Sequence, residues 1–149
     1  MSITWQLELF ADLSNDELYA LLRLRSEVFV VEQNCVFLDM DNKDQHCLHL
    51  LGWQNNQLAA CARIVPAGIS FAEASVGRVV TAPFARGIGL GRELMQTAMD
   101  KLYHLYGRVP VYIGAQQHLQ MFYASLGFEA TGQPYDEDGI MHIEMLKPA

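Results

Sequence analysis

The sequence predicts a mixed α/β fold in a single domain that covers residues 1–149, and three observations support this prediction. The length suits one domain, which at this size buries roughly 70% of the surface of its unfolded chain. Apolar residues make up 51% of the sequence, enough for a substantial core. Strand-like and helix-like segments follow in the order β, α, three strands, α, β, α, two strands, which is not a series of βαβ units.

The chain begins with an expected edge strand and an expected helix. Residues 4–9 alternate loosely between polar and apolar side chains, a pattern typical of an edge strand. Ser14 and Glu17 have the spacing of a capping box, in which the serine accepts from the backbone and the glutamate reaches back. Apolar residues then recur at helical spacing, so we expect a helix that runs to Glu32.

Three strands are expected after this helix. Residues 46–53 and 58–65 are rich in apolar side chains, and the polar turn 54–57 joins them. A third strand is predicted at 74–80, because a turn with proline follows it.

The second half predicts two helices and three strands. A long helix should follow a glycine-rich turn and end near Gly107, and a shorter helix should end at Gly127. Strands are expected at 109–113, 128–131 and 140–146. The apolar stripe of the long helix consists of Leu90, Leu94, Ala98, Leu102 and Leu105, and that of the shorter helix of Leu119, Phe122, Tyr123 and Leu126.

Charge and hydropathy argue against several classes of protein. With 10 basic and 17 acidic side chains the formal net charge is −7, unlike a protein that tracks nucleic-acid phosphates. No apolar run reaches the roughly 20 residues of a membrane span, and residues 1–6 lack the features of a secretory signal. We therefore expect a cytoplasmic protein with no nucleic-acid or membrane partner, in which Cys35, Cys47 and Cys61 are reduced and mostly buried.

No metal site is expected. The acidic loop 39–44 superficially has calcium-loop spacing, but the required glycine and final glutamate are missing, so we expect a solvated loop. His46, Cys47 and His49 are close in sequence. On a strand, however, Cys47 and His49 would face one way and His46 the other, so three ligands would not converge.

The richest local chemistry lies in the glycine-rich turn at residues 86–91, which leads into the long predicted helix. The first amides of a helix lack intrahelical partners and point outward at the positive end of the dipole. Glycines let a bulky anion approach these amides closely, so the turn suits a pyrophosphate, and Arg86 and Arg92 add positive charge. The turn has neither P-loop spacing nor the early position of a dinucleotide-binding turn.

At these residues the sequence resembles the GNAT family of acetyltransferases. Arg86, Gly89 and Gly91 match the family's R/Q-x-x-G-x-G/A turn, and residues 123–128 match its Y-x-x-x-G-F ending. The resemblance implies a mostly antiparallel mixed sheet of six to seven strands, splayed at the central strands and flanked by about four helices. It covers essentially the whole chain and looks closest to the ElaA-like branch, through residues 28–34, 114–116 and 138–143.

The resemblance implies an N-acetyltransferase that moves an acetyl group from acetyl-CoA directly to a primary amine of a small molecule, peptide or protein. The enzyme would be a monomer or a homodimer. One departure is Gln116, which stands where many family members have asparagine. The expected cofactor-binding residues are Val79, Val80, Thr81, Arg86, Gly87, Ile88, Gly89, Leu90, Gly91, Arg92, Gln116 and Phe122.

Catalytic roles also follow from the resemblance. Tyr123 is at the position of the general acid that protonates the leaving thiolate, and an amide within 79–81 would stabilise the thioester oxygen. An amine with a pKa of about 10.4 must lose its proton before it attacks, and Glu32 and His142 are both candidate bases. Spacing alone would favour a core tyrosine at position 123 and a core histidine at position 142.

Two other functions stay open at this point. A non-catalytic acyl-CoA-binding or regulatory module on the same fold would need the same glycine turn, and a nucleotide-binding protein would use it for phosphates. The sequence does not identify the acceptor. Segments near 33–44 and 133–138 are expected to shape its site, and the acidic stretch 135–138 is expected to be a solvated turn.

Overall fold

Two antiparallel half-sheets lie side by side in the structure, a computed structural model that describes residues 2–149. The first half-sheet consists of β1 (Thr4–Leu9), β2 (Leu48–Gln54), β3 (Gln57–Val65) and β4 (Ser75–Thr81), paired in this order. In the second, β5 (Val111–Gln116) pairs with β8 (Ile140–Lys147), which also pairs with β6 (Glu129–Ala130) and β7 (Tyr135–Glu137). The predicted mixed, mostly antiparallel fold is confirmed.

Three α-helices flank the sheets within the described residues. Helix α1 (Asn15–Arg25) begins at the predicted Ser14–Glu17 capping box, which is fully formed, and continues as a π-helix over Ser26–Glu32. The predicted extent of this helix is therefore correct, but its last seven residues form a wider helix. The other helices are α2 (Leu90–Tyr106) and α3 (Gln120–Ala124), and short 3₁₀ turns occupy Phe10–Asp12, Asp44–His46, Pro83–Ala85 and Gln117–Leu119.

Strand β3 is the centre of the core because helices pack on both of its faces. From Leu58 to Val65 every residue is buried. One face of the strand joins a cluster with Leu94 and Leu102 of α2, and Cys61 on the other face joins a cluster with side chains of α1. At about 25 cal/mol per Å², this two-sided burial of apolar surface is the main term that stabilises the fold.

The half-sheets are joined at one end and separate at the other. A parallel bridge pairs Ala74 with Val111, and the amide of Tyr112 donates to the carbonyl of Ala74 at 3.0 Å. Beyond this bridge, β4 and β5 form no ladder with each other. The expected splay at the central strands is thus present, and it leaves backbone groups of β4 facing a gap.

Several local predictions were wrong. Strand β2 starts at Leu48 rather than at residue 46, because His46 ends a 3₁₀ turn. Leu105 was placed in the buried stripe of α2 but is 43% exposed. The stretch 135–138 is largely exposed, as expected, but it is not a simple turn: its first three residues form β7, and the two-residue turn Asp138–Gly139, with φ of 55° and 84°, closes a hairpin onto β8.

The prediction of a solvated acidic loop at 39–44 was also wrong. Asp39 and Asp44 are buried at 4% and 6% exposure, and Arg25 of α1, which is fully buried, bridges them. Its Nε donates to Asp39 and its Nη1 to Asp44, at 2.8 and 2.9 Å. Arg63 and Arg78 complete the network through bonds to the same loop. The loop therefore supplies the anionic half of a buried ion network.

This network ties stability to the ionisation of Asp44. Burial opposes ionisation, yet hydrogen bonds from Arg25 and Arg63 outweigh it and hold the pKa of this carboxyl below its ordinary value. Because the pKa is lower in the folded than in the unfolded chain, the ionised form favours folding. The contribution is complete above the ordinary carboxyl pKa of about 4 and is lost as the pH falls further.

We therefore expect the free energy of unfolding to fall on acidification from about pH 6 to about pH 3. Urea titrations followed by tryptophan fluorescence would measure it. Asp44→Asn should be less stable than the wild type at the upper pH and should lose less stability on acidification. An equal pH dependence in both proteins would contradict the assignment to this carboxyl.

Candidate functional site

A cavity of about 960 Å³ opens where β4 and β5 separate. The splayed strands form two of its walls. The end of the π-helix, the loop that follows it and the β7–β8 hairpin form the rest. Among the predicted site residues, Val79, Val80, Thr81, Arg86, Glu32, Gln116, Tyr123 and His142 all line this cavity.

The glycine turn leaves the N-terminus of α2 uncapped. Gly89 occupies the cap position with a φ of 76°, and no side chain accepts a hydrogen bond from the first turn. The first hydrogen bond of the helix runs from the amide of Glu93 to the carbonyl of Gly89, at 3.2 Å. The amides of residues 90–92 therefore have no partner within the helix. A side chain at Gly87 or Gly89 would meet nothing within 4 Å, so an anion has open access to these amides.

The two arginines of this region are held by neighbours on either side of the turn. Arg86 forms a two-pronged ion pair with Glu32, both bonds at 2.7 Å, and also donates to the carbonyl of Thr81 at 3.2 Å. Arg92 donates to Ser125 Oγ at 2.7 Å and lies over the ring of Phe122 at 5.7 Å. Phe122 is thereby drawn to the helix start, where its ring would contact a Cβ at Gly91 at 4.0 Å.

Strand β4 directs part of its backbone toward the cavity. The amide of Ala82 donates to Ala59 of β3 at 2.7 Å. Successive amides of a strand point to opposite edges, so the amides of Thr81 and Val79 face the gap toward β5. They provide donors for a carbonyl oxygen placed in the cavity.

Tyr123 projects from α3 into the cavity with little exposure, 7%. Its ring makes edge-to-face contacts with the rings of Phe122 and Phe128, at centroid distances of 5.1 and 6.0 Å. Burial raises the pKa of its phenol to about 12, so the hydroxyl is protonated throughout the neutral range. Its position is compatible with both a core residue and a general acid, because its ring packs in the core while the residue also lines the cavity.

His142 lies on β8 and lines the cavity beside Glu137. Its Nδ1 donates to the carbonyl of Ile140 at 2.8 Å, which in the neutral ring leaves Nε2 as a proton acceptor. Nε2 is 3.4 Å from a carboxylate oxygen of Glu137, and Tyr135 stacks on the ring at 5.9 Å. An ammonium group placed here would meet both a carboxylate and an imidazole.

Glu32 and Gln116 are both engaged with other side chains. The hydrogen bond from Arg86 lowers the pKa of Glu32, which makes this carboxylate a weaker base. Gln116 exchanges two amide hydrogen bonds with Gln33, at 3.2 and 3.3 Å, across the cavity wall. Glu32 and His142 therefore line the same cavity in different chemical settings, one in an ion pair with Arg86 and the other beside Glu137.

Sequence reasoning missed the contribution of the β7–β8 hairpin. Tyr135 and Glu137 line the cavity beside His142. The Asp138–Gly139 dipeptide is a strong hairpin signal and would have located this strand pair. Cys35 also belongs to this wall, since its thiol donates to the carbonyl of Asp138 at 2.9 Å.

Cys47 and His49, considered in the sequence analysis as possible metal ligands, do not line the cavity. The thiol of Cys47 donates to the carbonyl of Lys43 at 3.2 Å, and Nε2 of His49, which is fully buried, donates to the carbonyl of Asp44 at 2.9 Å. No group of three potential metal ligands occurs in the part of the chain that the structure describes. Residues 2–149 also contain no helix with the length and hydropathy of a membrane span.

Comparison with known proteins gives consistent results. The family described as an acetyltransferase (GNAT) domain matches residues 11–148. Protein ElaA of Escherichia coli is 44% identical over 147 residues, which cover 97% of this chain and 96% of ElaA. The crystal structure of ElaA is similar over 98% of this chain and 99% of that chain, at a TM-score of 0.91 and 42% identity.

Two further solved structures extend the comparison. An acyl-CoA N-acyltransferase from Pseudomonas aeruginosa is 42% identical, with a TM-score of 0.92, over 98% of this chain and 99% of that chain. A GNAT acetyltransferase from Elizabethkingia anophelis, solved with acetyl-CoA bound, shares 16% identity at a TM-score of 0.63, over 99% of this chain and 98% of that chain. The last similarity bears on the fold alone.

Proposed function

The chain belongs to the GNAT family of acetyltransferases, and we propose that it moves an acetyl group from acetyl-CoA directly to a primary amine of a small molecule, peptide or protein. One observation carries the proposal. A single cavity is lined by residues of β4, by Tyr123 and by His142 with its neighbour Glu137. Arg86 on its wall directly precedes the glycine turn that opens the uncapped N-terminus of α2.

The pyrophosphate of the donor would bind at the glycine-rich turn. The free amides at the start of α2 supply the hydrogen bonds, and the helix dipole supplies favourable charge. The pantetheine arm would then follow β4 toward Thr81 and Val79, whose amides face the gap. The thioester at its end would reach the centre of the cavity, near Tyr123.

A charge placed in this turn tests donor binding. We expect Gly91→Asp to weaken acetyl-CoA about 100-fold, because its carboxylate would stand among the amides that face the pyrophosphate. Folding should be retained, since an acidic residue in the first turn of a helix is favourable and space is available at this position. Isothermal titration calorimetry would measure the dissociation constants.

The matched control is Gly132→Asp. This glycine is exposed, a side chain there would meet nothing within 4 Å, and it lies neither in the turn nor among the residues that line the cavity. We expect unchanged affinity for acetyl-CoA in the control. Equal affinities in the two variants would contradict a pyrophosphate site at α2.

For the general base, we propose His142. Its Nε2 would accept the proton of the acceptor amine, and Glu137 would attract the ammonium form. Glu32 is proposed instead to hold Arg86, because this ion pair makes its carboxylate a weaker base.

The two candidate bases can be separated by substitution. We expect His142→Gln to lower turnover about 100-fold at neutral pH, the usual effect of losing a general base. Glu32→Gln should change turnover by less than about threefold. Thiol release from acetyl-CoA with a panel of amines, polyamines and peptides would measure both. The opposite order of effects would transfer the role to Glu32.

The same assay separates the enzyme from a non-catalytic acyl-CoA-binding module. Turnover with any amine supports the enzyme. Tight binding of acetyl-CoA without thiol release on any acceptor supports the module. Displacement of acetyl-CoA by ATP would instead support a nucleotide-binding protein.

A further inference from the structure

Strand β4 contains a bulge at Arg78. Cys61 of β3 pairs with Val80, but Arg63, two residues further, pairs with Gly77, so β4 has one residue more than β3 in this interval. Arg78 lies within the extra segment and has a φ of 49°, in the left-handed region. For a residue other than glycine this conformation costs on the order of 1–3 kcal/mol and persists only when its surroundings enforce it.

The side chain of Arg78 is fixed by the acidic loop. Its Nε donates to Oδ1 of Asp39 at 2.8 Å, and its Nη2 donates to the backbone carbonyl of the same residue at 2.9 Å. Asp39 is in turn held by Arg25 of α1, whose Nε donates to the other carboxylate oxygen at 2.8 Å. The buried carboxylate of Asp39 thus connects the bulge of β4 to helix α1.

The bulge directly precedes the amides that face the cavity. One extra residue in a strand reverses the direction of every later side chain and amide relative to an unbulged ladder. The conformation of Arg78 therefore decides which amides of β4 pair with β3 and which, like those of Val79 and Thr81, point into the gap.

We infer that Arg78 and Asp39 are positioning residues, which hold the bulge of β4 so that its free amides point at the thioester carbonyl. This inference rests on the proposed function, because it requires a bound acyl thioester. Neither residue exchanges a proton or forms a bond with the substrate. Their contribution is to orient the amide hydrogen-bond donors of β4 before acetyl-CoA binds. Such amides have most of their effect when they are oriented in advance.

The infrared carbonyl band of bound acetyl-CoA, labelled with ¹³C at the thioester carbon, tests the inference without a known acceptor. A hydrogen bond to the carbonyl lowers this frequency. In the wild type we expect the carbonyl frequency to be lowered relative to free acetyl-CoA. In Arg78→Ala we expect most of this shift to be lost. This variant removes the anchor but retains the cost of the left-handed conformation. Asp39 keeps its bond to Arg25 in this variant, so the fold should persist.

Arg78→Gly provides the second measurement. Glycine adopts the left-handed conformation without strain, so the bulge remains accessible although the anchor is lost. We expect a band between those of the wild type and Arg78→Ala. With any acceptor that supports turnover, kcat of Arg78→Ala should fall about 100-fold, while the dissociation constant of acetyl-CoA changes by less than about twofold.

Arg23→Ala is the matched control, because this arginine of α1 is 71% exposed and makes only a surface ion pair. The control should retain the wild-type band. A wild-type band in Arg78→Ala overturns the inference, and so does a smaller lowering in Arg78→Gly than in Arg78→Ala. A wild-type protein that binds acetyl-CoA without lowering its band also overturns it. Failure of the wild type to bind acetyl-CoA at all refutes the proposed function, and the inference with it.

Discussion

Replacement of Tyr123 with phenylalanine is expected to lower turnover by about 100-fold or more, with the dissociation constant of acetyl-CoA within about twofold of the wild-type value. The reason is the leaving group. In the proposed reaction a thiolate would be expelled when the amine attacks, and the phenol would supply its proton. This phenol is protonated at neutral pH, as a tyrosine of ordinary pKa is, and burial raises its pKa further, to about 12.

The substitution is expected to remove the hydroxyl and to leave the other contacts of the residue unchanged. The hydroxyl of Tyr123 takes part in no hydrogen bond with residues 2–149, so its removal leaves no buried partner unsatisfied, and the ring keeps its contacts with Phe122 and Phe128. Stability should therefore be nearly unchanged. Thiol release at saturating donor, with calorimetry for donor affinity, would measure the effect.

Tyr103→Phe is the appropriate control. Tyr103 is a partly buried tyrosine of α2, and it does not line the cavity. We expect wild-type turnover in this variant. If Tyr123→Phe had wild-type turnover as well, the phenol would have no part in the reaction, and the proton of the thiol would have to come from elsewhere.

Replacement of Arg25 with alanine is expected to cost about 3–5 kcal/mol of the free energy of unfolding. Arg25 is fully buried, and its guanidinium is bonded to both Asp39 and Asp44. Removal of the cation leaves two buried carboxylates with fewer partners. Breaking a buried ion network from one side is costly for this reason.

Arg23→Ala, two residues earlier on the same helix, is again the matched control. Its side chain is exposed, so we expect a change within about 0.5 kcal/mol. Chemical denaturation of both variants would measure the difference. A loss of stability for Arg25→Ala no larger than for Arg23→Ala would show that the network contributes little to folding.

Apart from the Asp138–Gly139 hairpin, the main features set by neighbouring residues were predicted well. The capping box at Ser14 depends on a contact three residues along the chain, and the start of α2 depends on a single glycine turn. Such short-range patterns carry most of their own physical information. The fold class was correct because it requires only the order of the elements.

Features set by distant residues were not predicted. In a helical pattern Arg25 is indistinguishable from an exposed arginine, and Asp39 and Asp44 resemble a solvated loop. Their burial depends on ion pairs between residues 14 and 19 positions apart, and on Arg63 and Arg78 from two strands. No local period reports such pairing.

The candidate site divides in the same way. Tyr123 and the glycine turn could be proposed as site residues from the sequence because each lies within a short motif. The choice between Glu32 and His142 could not be made, because it depends on the ion pair with Arg86 and on the proximity of Glu137. Both contacts join segments that are far apart in sequence or lie across a hairpin turn.

The separation of β4 from β5 has a consequence for folding cooperativity. Each half-sheet has its own ladder, and the backbone connects them at Ala74 and Val111 by one bridge. A donor bound in the gap would replace the missing ladder and would bind the native chain but not the unfolded one. By linkage, a donor concentration 100 times its dissociation constant adds about 2.7 kcal/mol to stability. The lifetime of such a protein in a cell would then rise and fall with the supply of its acyl donor.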